Sequence, residues 1–260
     1  NELLQSAIKI GGKDSLASVK RAQWLLEEGD FDKAELVISE LPLSLREEPS
    51  VLRLLGEIFF QQKEFDKLIT LLPTLISRKA FDKARLKKIQ ISSYSGYLLK
   101  RAQTGQLEEL NKAWKNIPRK VKKINQVFAT YAGLLIEKEE YSVAERLLRK
   151  KIEANWDSQL VALYGEVRPN VSRKILKTLE KWAREHPNDI GLGIARARQF
   201  MQAGMWGQAR GVVSHLVNQE PTPKMYKLLA DIDEKLGDSK RSSNNRKVGL
   251  ELAANFAIDK

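Results

Sequence analysis

The chain has 260 residues, with 45 Lys and Arg against 33 Asp and Glu, a formal charge of +12 and no cysteine. The missing thiols exclude disulfides, thiolate metal sites and cysteine nucleophiles, so packing alone must hold the fold. The basic excess favours anionic partners, and no run of about 18 apolar residues marks a bilayer span within the chain.

The opening, Glu2-Leu3-Leu4-Gln5-Ser6-Ala7-Ile8, reads as helix at once, so a preceding segment is expected. A first helical pair is predicted over 15–48. In it, Glu28-Gly29-Asp30-Phe31-Asp32-Lys33-Ala34 places a polar turn and then an aromatic three residues ahead of a small residue. The second pair, 49–80, repeats this with Gln62-Lys63-Glu64-Phe65-Asp66-Lys67-Leu68, and Leu68 follows Ala34 by 34 residues. That step is the period of a tetratricopeptide repeat, two helices and two turns. The third pair, 82–121, departs from it, because Leu110 follows Leu68 by 42 residues, which implies a longer first helix through Ser92 to Thr104. The fourth, 124–157, returns to the period with Tyr141 and with Ala144, 34 residues after Leu110. The fifth, 158–188, is short, since Leu160-Val161-Ala162-Leu163-Tyr164-Gly165 stops before Arg168-Pro169. The sixth, 189–221, carries Trp206 and Ala209, the latter 34 residues beyond Ile175. The last, 223–256, turns polar over Ser239–Arg246, as suits a terminal cap whose outer face meets water.

Twelve residues before the anchors stand Ala22, Gly56, Leu98, Ala132, Leu163 and Ala197, and four of these six are small, as close helix approach requires. Pro49, Pro187 and Pro221 are read as opening the following helix, where no amide is needed. The predicted fold is therefore all-α: a tetratricopeptide-repeat right-handed superhelix, an α-solenoid of about seven helical pairs in one domain over 1–260.

Candidate chemistry is sparse. His186 and His215 lack neighbours at metal spacing and are read as structural. Gly191-Leu-Gly193 lacks the third glycine of a dinucleotide loop, Gly11-Gly12 lacks the lysine of a phosphate loop, and no Gly-x-Ser-x-Gly elbow occurs. No catalytic residue, metal site or enzyme activity is expected. The tryptophans Trp24, Trp114, Trp156, Trp182 and Trp206 are assigned to the core. A basic patch gathers Lys112, Lys115, Arg119, Lys120, Lys122 and Lys123 near Trp114. Its commonplace reading is a solvated turn; as an interaction site, anionic lipid ranks ahead of nucleic acid. A partner segment would lie along the concave face, and the residues placed there are Arg53, Glu57, Tyr94, Arg101, Arg198, Gln202, Lys227 and Asp231.

Beyond the generic repeat, particular strings carry a resemblance. They are Val51-Leu52-Arg53-Leu54-Leu55 with Leu71-Leu72-Pro73, Trp114 followed by Ile117-Pro118-Arg119-Lys120, and Ala144-Glu145-Arg146-Leu147-Leu148 followed by Trp156-Asp157. Leu163-Tyr164-Gly165 with Arg168-Pro169, Glu180-Lys181-Trp182 with His186-Pro187-Asn188-Asp189, and Trp206-Gly207-Gln208-Ala209-Arg210 continue it. Through these the chain resembles the HemY family, membrane-anchored tetratricopeptide proteins encoded beside haem-biosynthesis genes in proteobacteria. The resemblance implies a bacterial inner-membrane protein with two amino-terminal membrane helices outside this chain and the repeat body on the cytoplasmic side. It implies a scaffold that supports late haem or porphyrin synthesis by binding pathway enzymes, and it brings no catalytic motif. No cofactor is expected: with two histidines and only Met201, Met205 and Met225 as other soft ligands, direct haem or porphyrin contact is poorly supplied. The competing expectations are an envelope-assembly adaptor of the same fold and a basic repeat protein that binds nucleic acid.

Overall fold

A computed structural model describes residues 2–103, 105–168 and 172–258, with side chains over 15–103, 105–168 and 173–254. Among the described residues there are sixteen helices and no strand. The first pair is α1 (Glu2–Glu28) with α2 (Phe31–Ser39), followed by the short α3 (Leu43–Arg46). Next come α4 (Pro49–Gln61) with α5 (Phe65–Ser77), and α6 (Lys83–Ala102) with α7 (Leu107–Asn116) and the short α8 (Arg119–Lys122). Then follow α9 (Asn125–Glu137) with α10 (Tyr141–Ala154), and α11 (Ser158–Tyr164) with α12 (Ser172–Glu185). The last two pairs are α13 (Ile190–Gln202) with α14 (Trp206–Gln219), and α15 (Pro223–Lys235) with α16 (Ser239–Ile258). The chain divides into two compact units, Asn1–Tyr131 and Ala132–Lys260.

The anchor residues explain why pairs form where they do. Ala34, Leu68, Leu110, Ala144, Ile175 and Ala209 all have zero exposure, as do Ala22, Leu98, Ala132 and Ala197 opposite them. Gly56 is buried too: a Cβ added there would meet the Phe81 ring at 3.0 Å, a tight contact that the ring would have to shift to relieve. Leu163 departs from this pattern, being half-buried while the adjacent Tyr164 fills the interior at zero exposure.

Among the described residues, five of the six anchors are preceded, five positions earlier, by a left-handed residue. Gly29, Lys63, Gly105, Glu139 and Gly204 hold φ between 57° and 83°, the region in which glycine alone escapes a Cβ clash. Gly237, at φ 81°, exposes a seventh anchor that the sequence reading missed. Five residues on, Ser242 is buried, and Ala230 lies opposite it with zero exposure. Ser239–Arg246 is therefore not a loss of the repeat but its continuation with serine in the alanine position.

Helix starts are capped by short polar side chains: Asp30, Asp82, Asp157, Asp189 and Thr222 each accept an amide hydrogen from the residue three further on. Among the prolines, Pro49 opens α4 as expected, whereas α15 opens on Pro223 and not Pro221, and Pro187 lies in the link ahead of the Asp189 cap. The lengthened third pair is carried by α6, which runs 20 residues; Thr104 and Pro169 lie outside the described residues. Trp24 corrects the core assignment, since it is 62% exposed, while Trp182 is buried and Trp114, Trp156 and Trp206 are half-buried.

Candidate functional site

In a stack of helical pairs the first helices line one face, on which a partner segment can lie. In the second unit a depression of about 640 Å³ is bordered by the end of α9, the start of α10, the link after α11, and α13 and α15. Ile136, Met201 and Leu228 supply half-buried apolar surface, and the last two rest on a core that includes Ala197, Phe200 and Ile232. Tyr141, Arg168 and Gln202 add aromatic and hydrogen-bonding groups, with Glu137, Glu139 and Glu166 beside them.

Close backbone approach fixes α11 against α13. A Cβ on Gly165 would stand 2.3 Å from the Ala195 Cα, and one on Gly191 would stand 1.9 Å from the Ser158 carbonyl oxygen. No side chain fits at either place, which is why the fifth pair reads Tyr-Gly and stops short. Polar side chains complete the join. Buried Gln199 donates through Nε2 to the carbonyls of Gly165 (3.0 Å) and Val167 (2.8 Å). Arg198 donates to the Ala162 carbonyl at 3.0 Å and to the Glu166 carboxylate at 2.5 Å. The Asp189 carboxylate caps α13 through the Leu192 amide and also receives Ser158 Oγ and Trp156 Nε1, each at 2.9 Å. Trp156 then stacks on His186 at 3.6 Å and meets Trp182 edge-on at 5.6 Å, so His186 is a packing residue.

The eight residues expected to line a concave face meet different fates. Arg198 and Gln202 border the depression, and Gln202 accepts a hydrogen bond from Gln199 at 3.0 Å. Lys227 and Asp231 lie on α15 outside it, Lys227 exposed and Asp231 near Arg246 at 3.9 Å. Arg53, Glu57, Tyr94 and Arg101 belong to the first unit. There, Arg53 Nε donates to the Ala80 carbonyl at 2.7 Å, Glu57 takes both arms of Arg85, and Arg101 pairs with Asp66 at 2.8 Å. Tyr94 is a correction: only 7% exposed, it faces the interior, where burial pushes its phenol above its ordinary pKa. In the basic patch, Lys112, Lys115, Arg119, Lys120 and Lys123 are exposed, whereas Lys122 is half-buried. Lys122 donates to the Lys115 carbonyl at 3.0 Å and lies over the Trp114 ring, which itself stacks on Tyr131 at 4.2 Å.

What the sequence reading missed is how many polar side chains join one repeat to the next. Glu57 to Arg85, Asp66 to Arg101, Glu35 to Lys67 and Glu166 to Arg198 all span 28 to 35 residues, close to one period. The spacing carries the signal, but charge at a helix surface position reads by itself as solvated. Glu145 shows the same logic inside the second unit. It is buried, yet its carboxylate accepts from Tyr164 Oη and Arg149 Nε, both at 3.0 Å, with Lys174 Nζ at 3.5 Å. Burial first, and then the charge of Glu145, drive the Tyr164 phenol well above its ordinary value. No group of His, Cys, Asp and Glu among the described residues could hold a metal ion.

Six fully buried anchors, a left-handed turn five residues before five of them and paired helices at a step near 34 define a tetratricopeptide-repeat fold. A solved tetratricopeptide repeat protein from Parabacteroides merdae ATCC 43184 is similar over 99% of this chain and 96% of its own, with a TM-score of 0.53 and 17% identity. No protein-family model matches the chain. In sequence it is similar to Protein HemY of Escherichia coli strain K12 and of Shigella flexneri, 20% identical to each over 253 residues and 97% of this chain. The chain spans 64% of the length of these curated relatives. No helix among the described residues is long and apolar enough to cross a membrane.

Proposed function

We propose that the chain is a non-catalytic scaffold whose second-unit groove holds a segment of another protein. The observation that supports it is the lining of that groove: half-buried Ile136, Met201 and Leu228 beside the polar ends of Arg168 and Gln202. An amphipathic helix or strand would lay its apolar residues on the first set and satisfy its polar groups on the second. Methionine suits such a surface because its unbranched side chain adapts to different shapes.

The similarity to Protein HemY at 20% identity, with the motifs that carry the family resemblance, supports a choice of client. In this reading the clients are enzymes of late haem or porphyrin synthesis, held at the bacterial inner membrane with the repeat body on its cytoplasmic side. Holding two of them together would raise their effective concentration without any chemistry by the scaffold.

The test is site-directed photo-crosslinking in membranes of the native cell. A photoreactive residue goes at Gln202 or Arg168, both exposed, and as a control at Lys240 on α16. Haem-pathway enzymes crosslinked from the groove and not from Lys240 are the expected result. Envelope-assembly proteins captured instead would overturn the choice of client, and equal capture from Lys240 would overturn the groove.

A further inference from the structure

The net charge of the protein is not spread along it. Residues 78–123 hold 14 Lys and Arg against 3 Asp and Glu, while the rest of the chain holds 31 against 30. The excess therefore belongs to one helical pair, α6 with α7 and α8. Lys83, Lys87 and Lys88 project from the first turns of α6 and are exposed. So are Lys112 and Lys115 on α7 and Lys120 on α8. No carboxylate among the described residues pairs with any of these six; the acids near the pair are taken by Arg85, Lys100 and Arg101. α7 packs against α6, so the lysines of α6 and α7 belong to one helical pair, with those of α8 following directly in the chain. Glu108 and Glu109 sit in the first turn of α7, where the positive pole of that helix favours them.

We infer that this pair docks on an anionic lipid surface through its lysines. Two observations favour lipid over nucleic acid. The exposed cations are mostly lysines, point charges suited to diffuse attraction, with Arg119 the one exposed arginine on α6 to α8. The aromatics of the segment are engaged elsewhere: Trp114 is stacked on Tyr131, Tyr94 is buried, Tyr97 lies under Arg101 and Phe81 packs on Gly56. None is left as a platform for a base to stack on, which single-stranded recognition requires.

The experiment is co-sedimentation of the 260-residue chain with vesicles of phosphatidylcholine alone and of phosphatidylcholine mixed equally with phosphatidylglycerol. Two quadruple variants accompany it: Lys87→Gln, Lys88→Gln, Lys112→Gln and Lys120→Gln in the patch, and Lys224→Gln, Lys227→Gln, Lys235→Gln and Lys240→Gln in the second unit. Binding is expected only with phosphatidylglycerol, weakening as salt rises. Each lysine near such a surface contributes about a fivefold factor, so the patch variant should lose on the order of a hundredfold or more in partition, and the second-unit variant far less. Equal losses in the two variants would overturn the patch in favour of net charge. No vesicle binding, or a salt-dependent shift of an oligonucleotide in its place, would overturn the lipid assignment. Circular dichroism and melting of both variants show that any loss is not unfolding.

Discussion

Tyr164 makes the sign of a pH effect readable from one side chain. Its phenol is held protonated by burial and by the carboxylate of Glu145, so its folded pKa lies above the ordinary value of 10.0. The unfolded tyrosine therefore ionises first, and the stability it contributes is complete below about pH 10 and is lost as pH rises above it. Tyr94 and Tyr131, raised by burial, add to the same loss. Replacing Tyr164 with Phe should cost about 1 kcal/mol near neutrality, the worth of its bond to Glu145. It should also narrow the gap between melting temperatures measured near pH 7 and near pH 10.5. A gap as wide as in the parent would show that Tyr164 is not among the groups that titrate on unfolding.

At the level of the helical pair, the left-handed turn five residues before an anchor sets an energetic test. Gly204 and Glu139 occupy equivalent positions with φ of 72° and 60°. The left-handed region costs a residue with a Cβ about 1 kcal/mol, and glycine escapes that cost. Gly204→Ala should thus destabilise by about 1 kcal/mol, while Glu139→Gly should stabilise by up to about 1 kcal/mol, both measured by urea unfolding. The same turns show what could be read in advance. Gly29, Gly204 and the aromatic after each announced their pairs, and the 34-residue step located six anchors that prove fully buried. Gly237 announced a seventh, but Ser242 in the anchor place concealed it. The groove was less legible. Position on a helix face picked out Arg198 and Gln202, which border the depression, yet it could not reveal that Glu57 and Arg101 are bonded to adjacent repeats and Arg53 to the end of its own pair, because that depends on how closely helices sit. Tyr94 misled for a related reason: α6 is lengthened, so counting back from the anchor at Leu110 assigned the wrong side of the helix.

For the molecule as a whole, like charges crowded onto the third pair repel one another in the folded state more than in an expanded chain. Raising sodium chloride from about 20 mM to about 200 mM shortens the Debye length from roughly 20 Å to below 10 Å and should raise the melting temperature. The exposed ion pairs, such as Arg78 with Glu47, lose strength under the same change, but each is worth little at the surface. A melting temperature that falls with salt would mean the ion pairs outweigh the repulsion. The joins between successive repeats carry a different implication. Arg85 is answered by Glu57, Arg101 by Asp66 and Arg198 by Glu166 with the Ala162 carbonyl, so at these joins a repeat recognises the one before it. Their order is thereby written in matched side chains, and a copy of one repeat inserted elsewhere in the array would meet a neighbour that does not speak its code.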